Sequence, residues 1–199
     1  MSITAQQFQQ LQDRVGRRVP KLAVEHAVSV RAEHKIILGI DPSLRGTGYG
    51  VIRNASRTPE LLVQGTVKCA ASLTRVQCLA RIAEAIREIV RSCKPTVCIV
   101  EGLFYAQNLQ TALIMGEARG ASLVAVAEAG LEVYEIAPRK VKQAVVGYGA
   151  AQKLAVAKMV QRMLRLSEPP APDAADALAL ALTYAQESRS PISRVSRKL

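Results

Sequence analysis

Four carboxylates stand out in this sequence because of where they lie. Asp41 ends the apolar run KIILGID, and Glu101 ends a second apolar run, TVCIVE. Asp173 and Asp176 lie three residues apart in DAADALALAL, so they share one face in the first turn of a helix. Carboxylates that converge repel one another unless a hard cation that prefers oxygen ligands lies between them. We therefore expect magnesium chemistry, and two such ions about 4 Å apart would suit in-line hydrolysis of a phosphodiester.

Two of these acids also have a purely structural explanation. An Asp before a Pro, as in Asp41-Pro42, often only opens a turn through its own side-chain hydrogen bonds. An Asp at a helix start, such as Asp173, caps the helix and complements its dipole. One cap accounts for Asp173, but a second Asp among Ala and Leu residues is harder to explain in this way.

The composition limits the kinds of partner. The chain has 199 residues, of which 49% are hydrophobic, and this suits one folded domain with a sizeable core. Its 27 Lys and Arg against 16 Asp and Glu give a net charge of +11, which favours a polyanionic partner and first of all nucleic acid. The longest apolar runs have the length of strands or are interrupted by charge, and residues 1–30 lack the apolar centre of a secretory signal. We therefore expect a cytoplasmic protein without membrane contact.

The histidines and cysteines do not indicate another chemistry. Both histidines, His26 and His34, precede the first expected strand, so the folded body offers no imidazole to activate a Ser or Cys nucleophile. The four cysteines have no CxxC spacing, which argues against a zinc site, and we interpret them as reduced, buried residues. Catalysis in this chain must then depend on carboxylates, lysines or metal.

Runs of strand length and apolar residues at helical spacing alternate along the chain. Strands are expected at the two arms of a hairpin over residues 35–53, whose turn would include Gly46 and Gly48, and at 61–69, 96–100 and 131–136. Helices are expected at 73–90, 109–129, 138–147 and 150–166, and from Asp173 onwards. This order predicts an α/β fold whose mixed sheet has three antiparallel strands followed by parallel strands, with helices on its faces.

The expected topology positions two of the acids and one pair of glycines. A parallel crossover would place Asp41 and Glu101 side by side at one edge of the sheet. Gly116 and Gly120 share one face of the helix over 109–129 and permit close packing, either on the sheet or across subunits, and we favour the sheet.

The domain boundaries follow from the same pattern. Residues 1–33 lack a sustained period and are expected to form a disordered or loosely helical extension. Residues 34–187 would form the folded domain, and residues 188–199 a basic, solvated tail.

Four stretches resemble, in order and spacing, the successive motifs of the RuvC family of bacterial Holliday-junction resolvases across roughly residues 35–185. They are GIDPSLRGTGYGVI, VEGLFYAQNLQTALIMGEARG, APRKVKQAVVGYG and DAADALALAL. The resemblance implies an RNase H-like fold, a homodimer, and metal-dependent, symmetric nicking of four-way DNA junctions in recombination and repair. It also implies two Mg²⁺ ions per subunit, which Mn²⁺ could replace, and cooperation with the RuvA and RuvB branch-migration proteins.

The resemblance also assigns roles to residues. The family's catalytic and metal-binding acids fall on Asp41, Glu101, Asp173 and Asp176. Its aromatic residue beside the active site falls on Phe104, and its DNA-contacting lysines fall on Lys142 and Lys153. Phe104 could instead cover the core, and the two lysines could be ordinary solvated charges. Where the family usually has DPG, this chain has Ser43, so either the turn needs no positive φ or Ser43 is strained.

Three other functions remain compatible with the sequence. An actin-like ATPase also has Asp and glycines in a turn between strands, although it binds nucleotide between two related domains and this chain holds only one. A non-catalytic junction-binding protein would share the basic charge but would not need four acids. Another RNase H-like nuclease, acting on RNA–DNA hybrids, would share the acids as well.

Overall fold

The structure is a computed structural model, and it describes residues 34–54, 58–102, 108–189 and 196–199. The expectations for residues 1–33 and for Phe104 lie outside these ranges. Within them, the chain forms a six-stranded mixed sheet flanked by five helices, which confirms the predicted α/β architecture. In the same ranges, no helix has both the length and the apolar character needed to cross a membrane.

The elements follow the predicted order. The strands are β1 (Ile36–Asp41), β2 (Gly46–Arg53), β3 (Glu60–Lys68), β4 (Val97–Glu101), β5 (Glu132–Ile136) and β6 (Arg197–Lys198). The helices are α1 (Arg75–Cys93), α2 (Leu109–Ala127), α3 (Pro138–Val146), α4 (Lys153–Leu164) and α5 (Pro172–Arg189). The sheet order is β3-β2-β1-β4-β5-β6. Because β1, β4 and β5 are parallel, their carboxyl ends meet at one edge of the sheet.

Alternating side chains divide the core into two layers. Ile37 and Ile99 point into the layer covered by α3, α4 and α5, whereas Leu38 and Cys98 point into the layer covered by α1 and α2. Helix α1 begins with a capping box, in which the Thr74 side chain accepts a hydrogen bond from a backbone N–H of the first turn. Each layer therefore anchors one set of helices on one face of the sheet.

Helix α5 lies directly on β1 and β2 because glycines leave room for its backbone. A β-carbon at Gly39 would overlap the carbonyl oxygen of Ala177, and one at Gly48 would overlap the carbonyl oxygen of Asp173. A larger residue at either position would push the helix away from the sheet. Gly48, which the sequence pattern assigned to a turn together with Gly46, thus belongs to β2 and serves helix packing.

The last described residues do not form a free tail. Helix α5 continues to Arg189, and Arg197–Lys198 pair with β5 as a short edge strand. The buried carboxylate of Glu187 accepts hydrogen bonds from the main-chain N–H and the hydroxyl of Ser196, at 3.0 and 2.9 Å. Lys198 also forms an ion pair with Glu132 of β5. The charged strand β6 therefore covers the edge of β5.

The expectation that Gly116 and Gly120 pack on the sheet is wrong. Helix α2 buries Ala118, Ser122 and Ala125, which sets the core-facing side of the helix. Gly116 and Gly120 lie away from that side, and a β-carbon at either position would meet nothing within 4 Å. They lie on one line of α2 with three exposed apolar residues, and we call this line the α2 stripe; its members are Leu109, Leu113, Gly116, Gly120 and Val124.

Candidate active site

The four acids meet at the carboxyl edge of the sheet. Asp41 is the last residue of β1 and Glu101 the last residue of β4, while Asp173 and Asp176 lie near the start of α5. One cavity of about 320 Å³ is lined by six of the seven predicted site residues, namely Asp41, Glu101, Lys142, Lys153, Asp173 and Asp176. The structure thus brings together every predicted site residue that it describes.

Helix capping does not explain Asp173. Helix α5 begins at Pro172, and its first main-chain hydrogen bond runs from the N–H of Ala175 to the carbonyl oxygen of Ala171, at 2.8 Å. Ala171 therefore occupies the cap position, and Asp173 lies inside the first turn, where it lines the cavity. The contact of the helix with Gly48 fixes the main chain at Asp173.

Asp41 and Glu101 lie next to each other at the centre of the site, where a hydrogen bond joins their carboxyl groups. Burial, reinforced by the charge of Asp176, raises the pKa of Asp41 to about 6. Burial, reinforced by the charge of Asp41, raises the pKa of Glu101 to about 8. At a given pH, these two carboxyl groups therefore bind protons more tightly than two isolated ones would.

Lys153 supplies a positive charge to the same group. Its Nζ lies 2.9 Å from Oδ2 of Asp176, and this hydrogen-bonded ion pair raises the pKa of Lys153. The ammonium charge also offsets part of the rise in pKa at Asp41 and Glu101. The Lys153 side chain is 65% exposed, so it can leave Asp176 without disturbing the core.

The donor set fits a hard divalent cation. Four carboxylates face one cavity, and their mutual repulsion is the kind that Mg²⁺ relieves. Within the described residues, however, no three His, Cys, Asp or Glu side chains are already grouped as ligands around one point. Lys153 is paired with Asp176 in this arrangement, and a cation that used this carboxylate as a ligand would have to displace the ammonium group.

The turn that follows Asp41 is held by Thr47. The buried hydroxyl of Thr47 donates to the carbonyl oxygen of Ser43 at 2.6 Å and accepts the N–H of Ser43 at 3.2 Å. In the described ranges, positive φ at non-glycine residues occurs at Lys94 and Arg165 only, so Ser43 is not strained. The departure from the family's DPG therefore leaves the turn intact.

Sequence reasoning missed Arg119, a buried residue of α2. One guanidinium nitrogen donates to the main-chain oxygen of Glu101, and the other lies 2.8 Å from Oε2 of Glu135 on β5. The available signal was a charged residue on the helix face that also carries Ala118 and Ser122. Arginines in helices are ordinarily exposed, so the pattern alone gave no reason to single this one out.

A larger cavity of about 600 Å³ lies between α1 and the strands β2 and β3. Its charged lining mixes Lys68, Arg81 and Arg91 with Glu84 and Glu88, and Glu88 is paired with Arg91 at 2.6 Å. None of the predicted site residues lines it. We therefore assign the chemistry to the smaller, acid-lined cavity.

Comparisons with known proteins agree with this geometry. A family profile described as crossover junction endodeoxyribonuclease RuvC matches residues 37–184. The crossover junction endodeoxyribonuclease RuvC of Pasteurella multocida is 48% identical over 150 residues, which cover 75% of this chain and 78% of the relative. That of Actinobacillus succinogenes is 47% identical over 154 residues, covering 77% of this chain and 80% of the relative.

Solved structures give the same result. Thermus thermophilus RuvC, solved in complex with a Holliday junction substrate, matches with a TM-score of 0.76 and 36% identity, covering 83% of this chain and 100% of that one. The yeast mitochondrial Holliday junction resolvase, at 10% identity and a TM-score of 0.54, shares the fold. The predicted RNase H-like fold is thus confirmed, and the chain belongs to the RuvC family of crossover junction endodeoxyribonucleases.

Proposed function

We propose that this chain resolves Holliday junctions by metal-dependent hydrolysis of phosphodiester bonds. The observation that carries the proposal is the shared cavity, which the acids at the ends of β1 and β4 and at the start of α5 all line. The relatives are named crossover junction endodeoxyribonucleases, and one of them was solved with a Holliday junction substrate. Cleavage of such junctions belongs to DNA recombination and repair.

We assign the metal ligands to Asp41, Glu101, Asp173 and Asp176, with two Mg²⁺ ions per subunit and Mn²⁺ as a substitute. The bound ions would activate the attacking water and stabilise the leaving oxygen. Asp41 and Glu101 stand on rigid strands, which keeps their carboxylates in place. Lys153 would release Asp176 and turn its ammonium group to the DNA backbone.

Phosphate contacts are assigned to the two lysines. Lys142 and Lys153 lie in the lining of the acid-lined cavity, where they can contact phosphates beside the scissile bond. Lys142→Met should weaken junction binding about equally for all sequences and reduce the slope of log affinity against log salt by about one. Phe104 stays a proposal from the family resemblance, with a stacking contact to an unpaired base worth roughly 1–3 kcal/mol.

We also propose a homodimer. One cavity positions one scissile phosphate, whereas resolution needs paired nicks in opposed strands, and a two-fold dimer supplies two such sites. The α2 stripe is the proposed interface. Its Leu109, Leu113 and Val124 are 74%, 59% and 54% exposed, and the space beside Gly116 and Gly120 would admit the backbone of a second helix.

Leu113→Glu tests this interface, because it places a charge in the middle of the α2 stripe. We expect the variant to sediment as a monomer and to lose paired cleavage. Thr111→Glu is the matched control, since position 111 is exposed on the same helix outside the stripe. A Leu113→Glu protein that remains a dimer would place the interface elsewhere.

The function itself is tested by comparing substrates. A synthetic four-way junction, a linear duplex and an RNA–DNA hybrid are incubated with the protein, with and without Mg²⁺ and without ATP. We expect paired, symmetric nicks in the junction only, and only with metal. Preferential cleavage of the hybrid would favour another RNase H-like nuclease, and metal-independent binding without cleavage would favour a junction-binding protein.

Two further assignments rest on family membership. We propose that RuvA and RuvB act on the same junction as this chain in the cytoplasm, which a supershift of the RuvA–RuvB–junction complex would test. We also propose that residues 1–33 are dispensable, because the family profile begins only at residue 37. A chain that starts at Arg31 should keep its melting temperature and its nicking activity.

A further inference from the structure

Arg119 is a buried cation close to the site but outside the cavity. Its side chain is only 9% exposed. One guanidinium nitrogen donates to the main-chain oxygen of Glu101, and the other lies 2.8 Å from Oε2 of Glu135. A buried guanidinium is strongly destabilising without such partners, so the two acceptors fix its position.

The contact with Glu101 lies where β4 is no longer paired with β1. The pairing of β4 with β1 ends at Val100, one residue before Glu101. On the other side, the N–H of Gly102 donates to the carbonyl oxygen of Ile136 at 2.9 Å. The end of β4 is thus held by its pairing with β5, which extends to Glu101 and Ile136, and by the guanidinium of Arg119.

Glu135 holds the guanidinium from the opposite side. It lies on β5, its side chain is 23% exposed, and it also faces Arg197 of β6 at 3.8 Å. Arg119 therefore connects α2 to β4 and to β5 through charge-assisted hydrogen bonds, which are directional and strong.

We infer that Arg119 is a positioning residue for junction cleavage: its guanidinium, held by Glu135, fixes the main chain at Glu101 so that the Glu101 carboxylate faces Asp41. The inference rests on the proposed role of Glu101 as a metal ligand. A carboxylate displaced by about 1 Å binds its cation less well and slows the reaction, although nothing in the cavity itself has changed.

The variants separate positioning from general stability. Arg119→Met removes both hydrogen-bond donors at similar side-chain length, and Arg119→Lys keeps the charge but cannot contact both acceptors as a guanidinium does. Glu135→Gln removes the negative charge that holds the guanidinium. The matched control is Arg87→Met. Arg87 forms a bidentate pair with Glu128, at 2.6 and 3.1 Å, which joins α1 to the end of α2 far from the acid-lined cavity.

Three quantities are measured for each variant. They are the Mg²⁺ concentration that gives half of the metal-induced rise in melting temperature, the single-turnover cleavage rate, and the metal-free affinity for a junction. For Arg119→Met we expect the Mg²⁺ concentration to rise and the rate to fall by about 10- to 100-fold, as for residues that orient metal ligands. Junction affinity should change less than about threefold. Arg87→Met should match the wild type in all three.

Two results would overturn the inference. The first is an Arg119→Met protein that melts at a lower temperature but has the Mg²⁺ response and cleavage rate of the wild type, since Arg119 would then be structural only. The second applies if Arg119→Met does not fold. In that case Arg119→Lys and Glu135→Gln are measured instead, and a wild-type Mg²⁺ response in both variants would overturn the inference. Glu101→Gln separates the proposed function from this inference. An active Glu101→Gln protein would refute the role of Glu101 as a metal ligand. An inactive Glu101→Gln protein, together with a normal Arg119→Met protein, would refute only the positioning role of Arg119.

Discussion

Gly48 of β2 and Asp173 of α5 are in main-chain contact. A β-carbon at Gly48 would overlap the carbonyl oxygen of Asp173 and lie 3.1 Å from its β-carbon. The hairpin that contains Asp41 and the helix that carries Asp173 and Asp176 therefore approach each other at backbone distance. The positions of the four acids therefore depend on the absence of a side chain at Gly48, which lets α5 approach β2.

Gly48→Ala should displace α5 and destabilise the protein. The added methyl group must move the main chain at Asp173, and overpacking of this kind costs about 3 kcal/mol or more when backbone cannot yield. Cleavage should be lost together with stability, measured by urea unfolding and by nicking of a synthetic junction. Gly102→Ala is the control for unfolding, because its β-carbon would lie 3.5 Å from the carbonyl oxygen of Ile136, an ordinary contact. A Gly48→Ala protein of wild-type stability would contradict the close approach.

Replacement of the acids should separate cleavage from binding. Asp41→Asn, Glu101→Gln, Asp173→Asn and Asp176→Asn should each reduce the single-turnover nicking rate by at least about 100-fold, because each would remove one of the proposed metal ligands. Junction binding, measured by gel shift without metal, should stay within about threefold, since it depends on basic groups and phosphates. A loss of binding as large as the loss of cleavage would refute this division.

The metal-free protein should lose stability as the pH rises. Burial and neighbouring acids raise the pKa of Asp41 from 3.8 to about 6 and that of Glu101 from 4.5 to about 8. Between the ordinary and the raised pKa, the folded state binds more protons than the unfolded state, so stability is highest below about pH 4 to 5 and falls towards pH 8 as far as these groups contribute.

Glu101→Gln is the test of this pH dependence. It should raise the unfolding free energy at pH 8 by at least about 1 kcal/mol, because a tenfold change in proton affinity corresponds to about 1.4 kcal/mol. The melting temperature is followed from pH 5 to 8.5 in chelator and again in Mg²⁺. Mg²⁺ should stabilise the wild type at pH 8 more than the variant. A variant less stable than the wild type at pH 8 in chelator would contradict the repulsion between the acids.

A mixed dimer of one wild-type and one Asp41→Asn subunit should nick one strand only, because each subunit would carry its own metal ions. The mixed dimer is isolated with two affinity tags and incubated with a junction held in supercoiled DNA. We expect nicked circles as the main product, whereas wild-type dimers give linear product. Mostly linear product from verified mixed dimers would mean that one site cuts both strands in turn.

The acids could be placed from the sequence because local signals mark them. Asp41 and Glu101 end apolar runs of strand length, and parallel strands bring their carboxyl ends to the same edge. Asp173 and Asp176 have helical spacing at the start of an apolar segment. The positions of the acids follow from the periodicity of each element and from the handedness of a crossover. Residues that are neighbours in the sequence are therefore enough to predict them.

The packing around the acids could not be read in this way. The role of Gly48 depends on a helix that comes much later in the chain, so its neighbours suggested only a turn. Helical periodicity shows which residues share a face of a helix. It does not show which face packs on the core when two faces are apolar, and α2 has Leu113 on one face and Ala118 on the other. Arg119 can be buried because it forms an ion pair with Glu135 on β5, and no local sequence pattern reveals this partner.

Helix α5 follows the other described helices in chain order, yet it fills the space above Gly39 and Gly48 and carries Asp173 and Asp176. A nascent chain that has emerged only through α4 would hold Asp41 and Glu101 without their partners, and it would leave one apolar face of the sheet open to water. Exposed apolar surface of this kind invites aggregation and proteolysis. We therefore expect interrupted synthesis to give a polypeptide that lacks Asp173 and Asp176 and is open to proteolysis, and not an active nuclease.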